Sequence, residues 1–251
     1  MSSPSAVARP SLVAACWNTQ WHKIGSPKGR LLRAALDQAA ADVICLPEAA
    51  HDFLHDSHHG IWSDPDYGYP VQPDRSKVML WSRWPWREID AVGDARLPPG
   101  RYVAGTTLTP LGELRVVGLC IPWRNAHVST GARNRSPWED HRAYLDALTG
   151  LLQREKRRGR VLLMGDLNQR LPRRWVPEDL ANKLQDALKG FDVWTAGTVS
   201  GLDHQMLCHI AGSALSAMPG SVRGLSRRIA AHQVSDHDGV SVGIAPQALG
   251  G

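Results

Sequence analysis

Residues 160–169 read Arg160-Val161-Leu162-Leu163-Met164-Gly165-Asp166-Leu167-Asn168-Gln169. Four consecutive apolar side chains between an arginine and a glycine form no helical stripe, and their length suits a buried strand over 160–164. The strand runs directly into a carboxylate and an amide. Polar groups delivered by the ends of buried strands gather at one edge of a packed sheet, where ligands bind.

The same pattern recurs on both sides of this stretch. Toward the N-terminus, residues 137–155 form the clearest helix, opened by Pro137, with Tyr144, Leu145, Leu148, Leu151 and Leu152 on one face. A basic run over 154–160 suits the negative end of its dipole. Residues 113–121, 101–109 and 77–82 read as strands, separated by turns at Pro98-Pro99-Gly100 and Pro110-Leu111-Gly112. Residues 42–46 form a strand that delivers Pro47-Glu48, preceded by a helix over 30–41. Residues 11–17 form a strand that delivers Asn18. Toward the C-terminus, 177–188 is a helix and 192–244 reads as several short strands, with Ser235-Asp236-His237 before the last. The expectation is an α/β fold with sheets at the centre and helices outside. A strictly alternating doubly wound sheet is disfavoured, because the strands between 77 and 121 have no intervening helix.

Composition bounds the partners. The 251 residues are 43% hydrophobic and 21% charged, and carry a formal charge of +5, which favours anionic partners without choosing among them. No apolar run reaches the roughly 18–20 residues of a membrane span, and residues 1–10 lack the apolar centre of a signal peptide. Residues 1–10 read as a disordered lead-in, 11–245 as one domain and 246–251 as a tail, in a cytoplasmic protein. Cys16, Cys45, Cys120 and Cys208 lie in or beside apolar segments without a C-x-x-C pair, as buried free thiols do. Ten tryptophans stand against two phenylalanines. Trp21, Trp62, Trp84, Trp86 and Trp123 are placed to stack on bases, although filling core and rim space is the commoner use of such rings.

Hydrolysis of a phosphodiester adds charge to a group that is already anionic, so a water nucleophile needs a cation and directed donors. Mg²⁺, with Mn²⁺ as a substitute, takes hard oxygen ligands and keeps several waters. Glu48 is the best candidate ligand, with Asn18 and Asp236 completing or flanking the site. Asp166 is placed to orient or deprotonate the water. Asn168, two residues on, would face the same way on extended backbone and hold a phosphate oxygen. His237 would donate to the phosphoryl oxygen as charge grows. Neither Asp166 nor His237 is expected to matter for core packing.

Trp17-Asn18-Thr19-Gln20-Trp21, Leu46-Pro47-Glu48, Gly165-Asp166-Leu167-Asn168-Gln169, Leu202-Asp203-His204 and Ser235-Asp236-His237, in that order, resemble the endonuclease/exonuclease/phosphatase superfamily, across residues 11 to 245. The resemblance implies a four-layer α/β/β/α sandwich of two packed mixed sheets flanked by helices. It implies that Asn18 and Glu48 bind the metal, that Asp166 and Asn168 handle water and phosphate, and that Asp203 orients His237. His204 is then structural. Two departures stand out. Pro47 replaces a frequent glutamine. Cys120 falls where many members carry a phosphate-contacting histidine or tyrosine, so that contact is either missing or supplied by Trp123, Arg124 or His127.

Arg170, Arg173 and Arg174, after Asn168, are candidates for gripping substrate phosphate, together with Trp123 and Arg124. The leading expectation is a nuclease acting on nucleic acid. The alternatives are a phosphatase or phosphodiesterase for a small molecule or lipid headgroup, and a non-catalytic phosphate-binding member of the fold.

Overall fold

A computed structural model describes residues 11–247 of the chain. The expected lead-in over 1–10 and most of the expected tail over 246–251 lie outside the described residues. Two β-α-β units set the frame. In the first, β1 (Leu12–Cys16) and β2 (Val43–Ala50) are parallel and are joined by α1 (Pro27–Gln38). In chain order there follow β3 (His59–Trp62), β4 (Arg75–Ser82), β5 (Trp86–Asp90) and β6 (Tyr102–Thr109). The second unit is β7 (Gly112–Cys120), α2 (Glu139–Lys156) and β8 (Val161–Asp166), again with parallel strands. The remainder is α3 (Glu178–Ala187), β9 (Asp192–Val193), β10 (Cys208–Ser213), β11 (Leu215–Ala217), β12 (Arg223–Leu225), β13 (Arg228–Ile229), β14 (His232–Gln233) and β15 (Gly239–Pro246).

The strands form two large mixed sheets. One has the order β11-β15-β1-β2-β4-β3, with β12 also on β15, and the other has the order β5-β6-β7-β8-β10-β9. The strand pair β13–β14 stands apart. Between the sheets lies one apolar cluster that takes Ala14, Val43, Val78 and Val242 from the first sheet and Val103, Val116, Leu162 and Ile210 from the second. A second cluster joins the outer face of the second sheet to α2 and α3, through residues such as Leu119, Leu163, Leu148, Leu152 and Leu184. A third joins the first sheet to α1 through Ile44, Leu46, Leu32 and Leu36. The layers are therefore helix, sheet, sheet, helix. Both sheets bury both faces, so their strands read as continuous apolar runs rather than alternating ones. All four cysteines are free and belong to the inter-sheet cluster, where they act as small apolar fillers.

Local chemistry fixes the element ends. Ser26 caps α1, accepting from Gly29 N at 3.0 Å, with Pro27 in the first turn, so this helix begins three residues before the expected 30–41. Pro137 does not open α2. Trp138, at φ +71°, donates its N–H to the Arg124 carbonyl at 2.7 Å and turns the chain, so the helix starts at Glu139. The edge strands β3 and β5 carry too few buried residues to leave a pattern in the sequence. Strand β15 reaches Pro246, which pairs with Leu215, one residue past the expected domain limit. No described helix is long and apolar enough to cross a membrane.

This topology positions the site. The carboxyl ends of the parallel strands β1 and β2 point to one end of the first sheet, where the antiparallel strands β4 and β15 begin. In the second sheet β7 and β8 end where β6 and β10 begin. Polar residues just after an outgoing strand or just before a returning one therefore meet at a single edge.

Candidate active site

A pocket of about 240 Å³ opens at that edge, lined by Asn18, Glu48, Lys77, Arg101, Cys120, Trp123, Asp166, Asn168, Asp236 and His237. Asp166 ends β8 and is almost wholly buried. Gly165 precedes it because a Cβ there would lie 2.0 Å from the Leu119 carbonyl oxygen on the neighbouring strand. The Asp166 carboxylate accepts from Asn168 N at 2.9 Å and Asn18 Nδ2 at 3.2 Å, and its Oδ2 lies 3.2 Å from His237 Nδ1. This last contact is a close ion pair, bent away from hydrogen-bond alignment.

The pair shifts both groups. Burial alone raises the Asp166 pKa, but the His237 charge and the donated hydrogen bonds outweigh it and hold the carboxyl below its ordinary value. Burial alone lowers the His237 pKa, but Asp166 outweighs that and holds the imidazole well above its ordinary value. At neutral pH the pair is carboxylate and imidazolium. Nδ1 faces Asp166, which leaves Nε2 as the donor available to a ligand, 4.0 Å from Asp236 Oδ2.

Glu48 sits at φ +52°, a left-handed residue inside β2 at the point where the pairing with β4 skips from Pro47 to Ala49. Its carbonyl accepts from Trp21 N and from Thr19 Oγ1, each at 2.7 Å, so the Asn18–Trp21 turn and the left-handed Glu48 hold one another. The Asn18 amide is partly engaged. Its Nδ2 reaches Asp166, and its Oδ1 accepts from Gln20 N at 2.9 Å. Asn168 is left-handed at φ +51° rather than extended, and it reaches the pocket through a turn closed on Asp166 Oδ1 and on the Ile121 carbonyl.

Asp203 does not orient His237. Its carboxylate is 96% exposed and bonds His204 Nδ1 at 2.6 Å, while His204 Nε2 binds Asp238 Oδ2 at 2.7 Å. The residue in register with Asp166 on β10 is Cys208, five positions later, and its thiol lies against the His237 ring. A larger open cleft of about 670 Å³ surrounds Asp203, His204, Arg227 and Asp238, whose polar groups largely satisfy one another.

Arg170, Arg173, Arg174 and Arg124 do not line the pocket. After Asn168 the chain plunges inward, with Gln169 and Leu171 buried, and the arginines bond the backbone or face solvent. Arg170 Nε donates to Gln205 O at 3.2 Å and Arg173 Nη1 to Val176 O at 3.0 Å. His127 packs against Tyr69 with ring centroids 4.3 Å apart, so of Trp123, Arg124 and His127 only Trp123 reaches the site. Cys120 itself faces Asp166 in register, and burial pushes its thiol up to about 12, so it stays protonated.

Two cations were missed by reading acids and amides alone. Lys77, on β4, forms an ion pair with Glu48 Oε1. Arg101, just before β6, is only 3% exposed, and its side chain makes one long bond, from Nη1 to the Cys120 carbonyl at 3.5 Å. Among the described residues no carboxylate lies within ion-pair distance of it. The topological rule finds both, since each lies near the start of a returning strand.

Behind the pocket a polar relay locks the Asp166–Gln169 turn. His141 Nδ1 donates to the Pro122 carbonyl at 2.7 Å and its Nε2 accepts from Gln169 Nε2 at 2.9 Å. His209 Nε2 donates to the Gln169 carbonyl at 3.1 Å, and its Nδ1 accepts from Thr195 Oγ1 at 3.0 Å. Both rings must be neutral, and burial lowers each to about 4. Between the ordinary value of 6.5 and 4 the unfolded chain therefore binds protons that the folded chain refuses. Stability is complete above 6.5 and falls as pH drops through this window, by up to roughly 3 kcal/mol per ring. Urea unfolding at pH 7.5 and pH 5 is expected to show that loss. Equal midpoints would contradict the assignment of neutral rings.

Comparison with known proteins accords with this geometry. The sequence pattern of the Endonuclease/Exonuclease/phosphatase family matches residues 15–237. The chain belongs to that family. Its members cleave phosphate esters. No curated protein matches the sequence. Among solved structures, the fold is similar to that of a 3′ phosphatase from Neisseria bound to a product DNA hairpin, with TM-score 0.65, 18% identity, and coverage of 92% of this chain and 98% of that one. It is also similar to TDP2 of D. rerio in complex with a single-strand DNA product, with TM-score 0.66, 11% identity, and coverage of 93% and 98%. An endonuclease/exonuclease/phosphatase from Beutenbergia cavernae gives TM-score 0.64 and 16% identity, over 95% of this chain and 72% of that one.

Proposed function

We propose that this member of the family is a divalent-cation-dependent phosphodiesterase that cleaves nucleic-acid backbones with water. The observation that carries the proposal is the convergence of the Asp166–His237 pair with Glu48 in one pocket. Asp166, kept ionised, orients the attacking water. His237 directs Nε2–H at a phosphoryl oxygen, where negative charge grows. Asn168, fixed through its Nδ2 bond to Ile121, holds a second oxygen.

The donor set fits Mg²⁺. Among the described residues no three His, Cys, Asp or Glu side chains converge as a metal cage. Mg²⁺ needs only one or two carboxylates and keeps its waters. Glu48 and the half-exposed Asp236 would hold it, with a lone pair of Asn18 Oδ1 adjoining. When bound it would supply a Lewis acid for the phosphoryl oxygen.

Arg101 supports an anionic substrate. A buried guanidinium without a carboxylate partner is costly to desolvate and calls for an anion from outside. Arg101→Met is therefore expected to lower kcat/KM on a diester by about 10- to 100-fold, the loss of one or two charge-assisted hydrogen bonds. It should leave the thermal midpoint equal or higher. A lowered midpoint with unchanged kcat/KM would make Arg101 structural.

Nucleic acid is favoured as the diester by the exposed Trp123 at the pocket rim, which offers a face to a base. The decisive experiment is cleavage of a labelled single-stranded oligonucleotide with Mg²⁺, measured across a salt series. Cleavage that weakens steeply with salt supports the proposal. Hydrolysis of a small diester without oligonucleotide cleavage would replace it with a small-molecule substrate.

A further inference from the structure

Lys77 is the pocket cation that already pairs with the carboxylate just assigned to a divalent ion. We propose that Lys77 is a tethered competitor for Glu48, and that an incoming phosphate draws it away, so that divalent-cation binding and phosphate binding at this site are coupled. The inference rests on the reading of the pocket as a divalent-dependent phosphoesterase site.

The ion pair is well shielded. The Lys77 and Glu48 side chains are 11% and 21% exposed, so their attraction is screened less than at an open surface. No other carboxylate lies within ion-pair distance of Lys77 Nζ among the described residues. The pair is also built into the backbone. Strands β2 and β4 are hydrogen-bonded neighbours whose register is unbroken from Pro47↔Val78 to Ala49↔Ser76, which sets the left-handed Glu48 directly opposite Lys77.

Lys77 has somewhere else to go. Its ammonium lies 5.2 Å from the Trp21 ring centroid and 5.7 Å from that of Tyr67, which themselves stack at 5.8 Å. The Trp21 ring already carries the Arg75 guanidinium at 4.7 Å, so Tyr67 is the freer face for a cation that has left its carboxylate, and the flexible four-carbon stem permits the move. A phosphate in the pocket offers anionic oxygens that are better still. With phosphate absent, a divalent ion must take Glu48 from Lys77 and then sit beside the displaced positive charge. With phosphate present, the ammonium has a new partner and the repulsion is offset. Linkage makes the effect reciprocal, so phosphate tightens the cation by the same factor that the cation tightens phosphate.

The test is Mn²⁺ binding, read by electron paramagnetic resonance on the full chain, with and without inorganic phosphate. In the native protein, phosphate is expected to tighten Mn²⁺ by about 10-fold, within the usual range of coupling between sites. Lys77→Met keeps most of the unbranched stem and removes the charge. It should bind Mn²⁺ about 10-fold more tightly without phosphate, and phosphate should then change the affinity by less than about 3-fold. Lys77→Gln serves as the second variant should methionine disturb folding, and thermal melts verify both. Native-like Mn²⁺ affinity and native-like coupling in both variants would overturn the inference while leaving the metal site standing. Absence of Mn²⁺ binding in native protein and variants alike would remove the metal reading itself, and the inference with it.

Discussion

Asp166→Asn is expected to lower the single-turnover rate on a phosphodiester by about 10³-fold or more, the upper part of the range for a residue that manages the proton and the nucleophile. The substitution keeps the shape and removes three things. On the proposed mechanism the water loses its anionic acceptor. His237 loses the carboxylate that holds its pKa up, and with it the standing positive charge aimed at the phosphoryl oxygen. One carboxylate oxygen becomes an NH₂ group, which must face either Asn168 N or Asn18 Nδ2, both donors. That last clash carries a structural cost of about 1–3 kcal/mol, because a buried donor loses its partner. The expectation from sequence that Asp166 is dispensable for the fold is therefore corrected, since the side chain is buried and ties three segments together. A lowered midpoint with an intact far-ultraviolet spectrum should accompany the lost rate. A near-native rate would remove Asp166 from the chemistry.

The largest stability effect is expected at a different place. Arg115→Ala should cost about 3–5 kcal/mol, the typical penalty for stranding one partner of a buried ion pair. Arg115 is buried where β7 begins, far along the strand from Cys120 and the pocket. Its Nε donates to Glu155 Oε2 at 2.6 Å and its Nη1 to the Glu88 carbonyl at 2.7 Å. Tyr102 adds a hydroxyl bond to Glu155 Oε1 at 3.3 Å, and its phenol is pushed up by burial and by that carboxylate, so it remains a donor. Removing Arg115 leaves Glu155 on the buried face of α2 with only Tyr102 and the more distant Arg158, at 3.7 Å, to offset its charge. Guanidinium unfolding should record the loss, with kcat/KM unchanged well below the melting temperature. The double variant Arg115→Met with Glu155→Met should recover most of the stability, as apolar replacements of buried pairs do. No recovery would show that the pair organises α2 against the sheet beyond its charge.

The contrast between these residues explains what the sequence made legible. The runs that end at Asn18, Glu48 and Asp166 are apolar because both faces of each sheet are covered, and this made the central strands and the order of the site readable. Edge strands such as β3 and β5 carry mixed residues and left no such mark. Asp203 was misplaced because a motif fixes order along the chain but not register between strands. The irregular segment before β10 brings Cys208, not Asp203, opposite Asp166. The arginines after Asn168 looked well placed by proximity in sequence, yet the buried Gln169 and Leu171 draw that loop toward α3. Lys77 and Arg101 were invisible for a different reason. A cation at the start of a strand resembles an ordinary solvated end, and only the antiparallel return of β4 and β6 to the same edge brings them into the pocket.

Hydrolysis of phosphodiesters at one pocket, built on Glu48, Asp166 and His237 and helped by a divalent cation, is the proposal to be tested. Release of p-nitrophenol from bis-p-nitrophenyl phosphate tests it most directly, because this diester needs no particular nucleic-acid contact. The assay compares native protein with Mg²⁺, native protein with EDTA, and Asp166→Asn with Mg²⁺. Turnover is expected with native protein and Mg²⁺, absent in EDTA and lower by about 10³-fold or more in the variant. Equal turnover in EDTA, or in the variant, would contradict it.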